Sequence, residues 1–268
     1  MTALSSTTVG ADPAGPLVVF CHGLFGRGRN FGGVAKALAP DYRSLLVDLP
    51  NHGGAEWTER IDYAQMARSL AEHLRSKVPE DLPVHLVGHS MGGKVAMMAA
   101  LLEPDLIRSL VVVDISPTGS GSVSEFEHLL GSLRGIDLDS LENLGDADRA
   151  LAPQVPQPML RGFLLQNLRR NREDDTFSWQ PNLDLLLEDL PVITDDIPHG
   201  DRTYEGPVLW IAGRESDYVT DEQEPAMRAL FPGTRRVTIK GAGHWVHSQK
   251  PEVFTATLRY FLEAVTSG

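Results

Sequence analysis

The 268-residue chain carries 24 Lys+Arg against 36 Asp+Glu, a formal net charge of -12, with 42% hydrophobic residues and a single cysteine. That balance argues against a nucleic-acid binder, whose phosphate contacts need a basic face, while the lone Cys21 excludes an intrachain disulfide and points to a reducing, cytoplasmic setting. No apolar run reaches the length a membrane-spanning helix needs, and the small, polar first sixteen residues lack the basic start and apolar middle of a secretory signal.

Leu17-Val18-Val19-Phe20-Cys21 is apolar at every position, the pattern of a strand buried on both faces. It runs into the glycine-flanked loop His22-Gly23-Leu24-Phe25-Gly26. Asn30 is placed to cap a helix over residues 31–38, which Pro40 closes. A second buried strand, Arg43-Ser44-Leu45-Leu46-Val47-Asp48, ends in the turn Leu49-Pro50-Asn51-His52-Gly53-Gly54. Met66, Leu70, Leu74 and Val78 recur every four positions and predict an amphipathic helix over 63–78. Next comes Val84-His85-Leu86-Val87-Gly88-His89-Ser90-Met91-Gly92-Gly93, strand-like before residue 88 and leading into a small-residue, helix-like run. Glu103-Pro104 ends that helix, and Leu110-Val111-Val112-Val113-Asp114 is another buried strand. Strands and helices alternating at short intervals predict an α/β fold with a mostly parallel central sheet flanked by helices.

The rhythm breaks after Asp114. From there to about residue 203 no buried strand is evident, only helix-like segments near 123–133, 158–170 and 183–190. Residues 120–200 hold 15 Asp/Glu against 6 Lys/Arg, so a net of -9 out of the chain's -12 lies here. The expected organisation is a core of residues 1–116 and 204–268 with a helical cap, residues 117–203, inserted into it; the insertion is short and its apolar runs need a partner surface. The basic run Arg169-Arg170-Asn171-Arg172 is followed at once by Glu173-Asp174-Asp175 and reads as a solvated turn. The sheet resumes at Pro207-Val208-Leu209-Trp210-Ile211-Ala212-Gly213, followed by a helix near 223–230, a strand at 235–240 and a last amphipathic helix over 251–265.

The chemistry centres on Gly88-His89-Ser90-Met91-Gly92, a G-x-S-x-G match set between strand and helix as a nucleophile elbow requires. A serine hydroxyl needs a base to take its proton, and the base needs a carboxylate to hold its tautomer. His244, in the turn Gly241-Ala242-Gly243-His244-Trp245-Val246-His247 after the last strand, is the candidate base; His247 is the alternative. Two acids compete. Asp114 ends the strand before the insertion, and Asp217 lies in Gly213-Arg214-Glu215-Ser216-Asp217, one residue beyond a G-x-x-D spacing. Asp114 is favoured because a one-residue displacement in a tight turn redirects a short side chain. Backbone N–H groups of Met91 and Leu24 are the expected oxyanion donors. Phe25, His89, Met159, Phe163, Trp179 and Trp245 are candidate pocket residues. Neither a metal nor a cofactor is implied, since no H-E-x-x-H, paired-cysteine, G-x-G-x-x-G or Walker pattern is present.

With these residues assembled, the sequence resembles the α/β-hydrolase superfamily, and within it the small serine acyl-esterases of the bacterial YbfF and abhydrolase-domain-eleven type. The likeness rests on His22-Gly23-Leu24-Phe25-Gly26 with Asn30-Phe31, on Asn51-His52-Gly53, on the elbow, and on Gly243-His244-Trp245-Val246-His247. The family often lacks an aspartate at the position of Ser216, which also favours Asp114. The resemblance implies an α/β-hydrolase fold and a serine hydrolase that cleaves small-molecule esters or thioesters of short to medium acyl groups. A C–C hydrolase, a lyase or a cofactor-free haloperoxidase on the same fold is the alternative, and a non-catalytic ligand-binding module a remote one. Chain length, charge and motifs leave the oligomeric state open.

Overall fold

The computed structural model describes residues 2–10, 15–39, 41–78, 82–119 and 123–266. A seven-stranded sheet is built from β1 (Ser5–Val9), β2 (Leu17–Cys21), β3 (Arg43–Asp48), β4 (Val84–His89), β5 (Ile107–Val113), β8 (Val208–Gly213) and β9 (Thr234–Ile239). A separate ribbon pairs β6 (Leu168–Arg170) with β7 (Phe177–Trp179) in antiparallel register. The spatial order of the large sheet is β1-β3-β2-β4-β5-β8-β9. Every neighbouring pair in it is parallel except β1 with β3. β2, β4 and β8 are buried at every position, as continuous apolar runs demand when helices cover both faces.

The helices are α1 (Gly32–Leu38), α2 (Tyr63–Lys77), α3 (Met91–Leu102), α4 (Val123–Arg134), α5 (Leu144–Leu151), α6 (Pro158–Leu165), α7 (Leu183–Glu188), α8 (Leu190–Thr194), α9 (Glu224–Leu230), α10 (Val246–Gln249) and α11 (Pro251–Thr266). Alternation along the strands splits the core into two apolar layers. One joins Val19, Leu86 and Val112 to Leu70 and Leu74 of α2 and Val95 of α3. The other joins Val18, Phe20 and Val111 to Leu38 of α1 and Phe254, Leu258 and Phe261 of α11.

Residues between β5 and β8 leave the sheet and lie over the first layer, where Phe126 and Leu130 of α4, Leu186 of α7 and Ile193 of α8 share one apolar cluster with α3. Polar ties reinforce the contact: Asn167 Nδ2 donates to the Phe25 carbonyl at 2.7 Å, and the Asn182 N–H donates to the Asn51 carbonyl at 3.0 Å.

Four features depart from the sequence expectations. β1 is an additional edge strand; Ser5-Ser6-Thr7-Thr8-Val9 has no apolar alternation, because an edge strand can stay half in solvent. Asn30 does not cap α1: it sits inside a preceding 3-10 turn and its Oδ1 accepts from the Arg27 N–H at 2.7 Å, while Phe31 occupies the cap position without a side-chain bond. The expected helix over 158–170 stops at Leu165, and Leu168–Arg170 turns back as β6. α5 is also new. Pro40, expected to close α1, lies outside the described residues.

Candidate active site

Ser90 occupies the reversal from β4 into α3, with φ 52 and ψ -123, a conformation that costs a non-glycine residue about 1–3 kcal/mol. The sheet holds it there through its own N–H, which donates to the Val113 carbonyl at 3.0 Å. The flanking glycines make the reversal possible. A Cβ at position 88 would overlap the Gly92 carbonyl, and a Cβ at position 92 would overlap the His22 carbonyl.

Asp114, the residue after β5, also adopts a positive φ of 52, and its N–H donates to the Ile211 carbonyl of β8 at 2.8 Å. Its carboxylate is fully buried and met by donors on every side. Oδ1 accepts from the Gly213 N–H at 2.8 Å, while Oδ2 accepts from the Ser216 hydroxyl and from His244 Nδ1–H, the latter at 2.9 Å. His244 Nε2 in turn accepts from the Ser90 hydroxyl at 3.0 Å, and the imidazole stacks on Tyr218 at 4.1 Å. The structure therefore brings Asp114 to His244, whereas Asp217 is exposed to solvent. Ser216, at the G-x-x-D position, donates to the carboxylate instead of supplying one.

Other histidines brace this chain. His89, inside the elbow, donates from Nε2–H to the His244 carbonyl at 2.9 Å. Its ring lies 4.7 Å from those of both His244 and His247. Burial, reinforced by His244 and His247, holds His89 well below the ordinary histidine range. His247 stacks on Phe31 at 4.5 Å rather than joining the Asp114–His244–Ser90 chain, and burial lowers it to about 3. His22 shapes the loop after β2: Nδ1–H donates to the Gly23 carbonyl at 2.8 Å and Nε2 accepts from the Leu49 N–H at 3.0 Å. Burial lowers His22 to about 4. These histidines stay neutral around His244.

Leu24 and Met91 line a small cavity at Ser90, closed also by Lys94, Phe126, Ile193 and Tyr218 and leaving only about 10 Å³ free. Met91 opens α3, where the first N–H groups have no intrahelical acceptor. Beyond Leu24 lies an outer groove of about 410 Å³ walled by Met159, Leu160, Phe163 and Trp245. His89 borders a third, small cavity that shares Leu24 with the first and Phe163 and Trp245 with the groove. Of the other pocket candidates, Phe25 is buried with its ring 6.3 Å from that of Phe126, and Trp179 packs from β7 onto the core beneath the insertion. Sequence reasoning did not pick out Tyr218, Ile193 or Lys94. Only Lys94 left a signal there, as the one charge in the helix Met91–Leu102. Among the described residues, no cluster of His, Cys, Asp and Glu is arranged to hold a metal ion, and no helix is long and apolar enough to cross a membrane.

A family model for the alpha/beta hydrolase fold matches residues 16–251. The chain is 37% identical over 267 residues to mouse (Mus musculus) "sn-1-specific diacylglycerol lipase ABHD11", covering 97% of this chain and 85% of that protein. It is 30% identical to "Esterase YbfF" of Escherichia coli strain K12, covering 91% and 92% of the two chains. Among solved structures, "Marine microorganism esterase" superposes with a TM-score of 0.92 at 32% identity, covering 97% of this chain and all of that one. The chain belongs to the α/β-hydrolase fold family, as one of its carboxylic-ester hydrolases.

Proposed function

We propose that Ser90, His244 and Asp114 form a catalytic triad that cleaves esters or thioesters of short to medium acyl groups through an acyl-serine intermediate. The observation that carries this reading is the continuous hydrogen-bond chain from Asp114 Oδ2 through His244 to Ser90 Oγ, at 2.9 and 3.0 Å. Ser90 Oγ attacks the ester carbonyl carbon while its proton passes to His244 Nε2. The resulting oxyanion is met by the N–H groups of Leu24 and Met91, each such donor contributing about 3 kcal/mol to transition-state stabilisation. Collapse breaks the bond to the alcohol or thiol, which leaves with the proton from His244. Water then gives a proton back to His244 Nε2, attacks the acyl carbon and releases the acid, returning the hydrogen to Ser90.

The inner cavity, with about 10 Å³ free, takes the start of the acyl group beside Ser90, longer chains needing its wall to give way. The outer groove holds the alcohol, because the leaving atom must face His244 and depart through the open side. Residues 117–203 serve as the cap over this site, roofing the inner cavity with Phe126 and Ile193 and the groove with Met159 and Phe163. The sparse cysteine content supports a reducing, cytoplasmic setting.

The test is hydrolysis of p-nitrophenyl esters from acetate to decanoate, together with labelling by a fluorophosphonate. Wild type turns over the shorter esters and labels at Ser90; Ser90→Ala does neither. Turnover by Ser90→Ala equal to wild type, or no ester cleavage by wild type, overturns the reading.

A further inference from the structure

α3 reads Met-Gly-Gly-Lys-Val-Ala-Met-Met-Ala-Ala-Leu-Leu, and Lys94 is its single charge. One turn beyond Ser90, it shares the face that borders the inner cavity. Only 1% of Lys94 is exposed; among the described residues no carboxylate is bonded to its ammonium, although the charges of Asp195 and Asp196 lie close enough to favour it. The ammonium instead donates to two main-chain carbonyls at the end of α8, those of Asp195 and, at 3.4 Å, Ile193. A second donor from the sheet-bearing body converges on the same place: Tyr63, the first residue of α2, donates its hydroxyl to the Ile193 carbonyl at 2.7 Å. The Tyr63 ring also lies 5.8 Å from the Lys94 ammonium. Burying an ammonium is costly unless its donors are used, and here they are spent on fixing one short stretch of the insertion.

That stretch forms a wall. Ile193 and Thr194 close the inner cavity opposite Ser90, and with Phe126 and Tyr218 they leave only about 10 Å³, space for one water molecule. α8 is five residues long; the Ile61 N–H donates to Asp189 at its start at 2.6 Å, and the Lys94 and Tyr63 donors hold its end. We propose that Lys94, seconded by Tyr63, is a specificity-determining positioning residue: it pins the Ile193–Thr194 wall and so limits the length of the acyl group that fits beside Ser90. The proposal rests on Ser90 being the nucleophile and on the inner cavity being the acyl site.

The experiment compares kcat/KM for p-nitrophenyl acetate, butyrate and octanoate in wild type, Lys94→Met, Tyr63→Phe and Ile193→Ala. Methionine fills the lysine's volume without donors, and phenylalanine removes only the hydroxyl. The octanoate-to-acetate ratio rises at least about tenfold in Lys94→Met, about 1.4 kcal/mol of relative transition-state binding, and about threefold in Tyr63→Phe. Ile193→Ala, which cuts the wall directly, raises it as well. A purely structural role for Lys94 lowers all three esters in proportion, so a ratio within about twofold of wild type overturns the proposal. Should Lys94→Met fail to fold, Tyr63→Phe decides, and an unchanged ratio there has the same force. Failure of the triad reading shows up separately, in wild type, as absence of hydrolysis of any ester.

Discussion

Asp114→Asn replaces one oxygen by a nitrogen and leaves the volume of the site unchanged. All three partners of the carboxylate donate to it: the Gly213 N–H at 2.8 Å, His244 Nδ1–H at 2.9 Å and the Ser216 hydroxyl. An amide has one accepting oxygen and one donating NH₂ group, so one side of it must face a donor. The Gly213 N–H is fixed by the backbone, and the amide oxygen stays with it. The NH₂ then faces His244 and Ser216. Ser216 can rotate its hydroxyl and accept, but His244 must present a bare Nδ1 and move its proton to Nε2. In that tautomer Nε2 no longer accepts the Ser90 proton. Turning the amide over restores the tautomer but sets two buried donors face to face at Gly213, a penalty of about 1–3 kcal/mol, and the carboxylate's charge is lost either way. A wrong-tautomer substitution lowers kcat by about 10⁴, which at 1.36 kcal/mol per tenfold is about 5.4 kcal/mol of barrier. The assay is kcat on p-nitrophenyl butyrate alongside a thermal melt. A folded Asp114→Asn variant that loses less than about tenfold, or a larger loss in Asp217→Asn, would refute the assignment.

Asp217→Asn itself, at an exposed position, is expected to keep kcat within about twofold, since surface changes away from a site have small effects. His89→Phe removes the donor to the half-buried His244 carbonyl, and an unmet acceptor there loosens the His244 turn at a cost of about 1 kcal/mol; kcat/KM falls by about fivefold or more in a rate assay with the melt unchanged in shape. Acid weakens the fold, because His22, His52 and His247 are buried and held neutral, lowered to about 4, 3 and 3. Their native values lie below the unfolded one, so stability is full above about pH 6.5 and falls as the unfolded chain takes up protons the native state refuses. The combined slope approaches about 4 kcal/mol per pH unit between roughly pH 5.5 and 4, measurable by urea unfolding across that range; a flat profile there contradicts the burial of these rings. Cys21 is fully buried and its thiol is pushed up to about 12, so a chromogenic disulfide reagent should find no thiol in the native protein and one in denaturant.

The middle strands of the sheet were legible because they are buried on both faces. Such strands carry no alternation to confuse with a helix, only unbroken apolar runs such as Leu17–Cys21 and Val208–Gly213. β1 was not, because an edge strand of serines and threonines earns its place from pairing with β3 rather than from burial. The ribbon of β6 and β7 was hidden for a related reason. Each strand is three residues long, and the turn between them is a charged run whose Asp175 pairs with Arg170, the last residue of β6, at 2.6 Å. Asn30 misled because its short side chain can serve several turns; it closes the 3-10 turn at Arg27 and leaves α1 uncapped.

Ser90 and His244 were readable because each is tied to a local pattern, a glycine-flanked reversal and a glycine-rich turn after the last strand. Their acid was harder, since carboxylate reach depends on register between strands that are distant in sequence. Asp114 and Gly213 leave the sheet side by side because β5 and β8 pair in parallel with Val113 opposite Ile211. That register delivers the Gly213 N–H to Asp114 Oδ1 and carries Ser216 around to Oδ2. A carboxylate so placed needs no aspartate in the following turn, and Ser216 there becomes a donor that holds it in position. The same logic explains why Lys94 escaped functional notice. In the sequence it is one charge in a helix; its meaning comes from the carbonyls of Ile193 and Asp195, about a hundred residues later, which only the packing of the insertion onto α3 brings within reach. The residues proposed to perform the chemistry are marked locally, whereas those that hold the Asp114 carboxylate and line the cavity are marked only by what folding sets beside them.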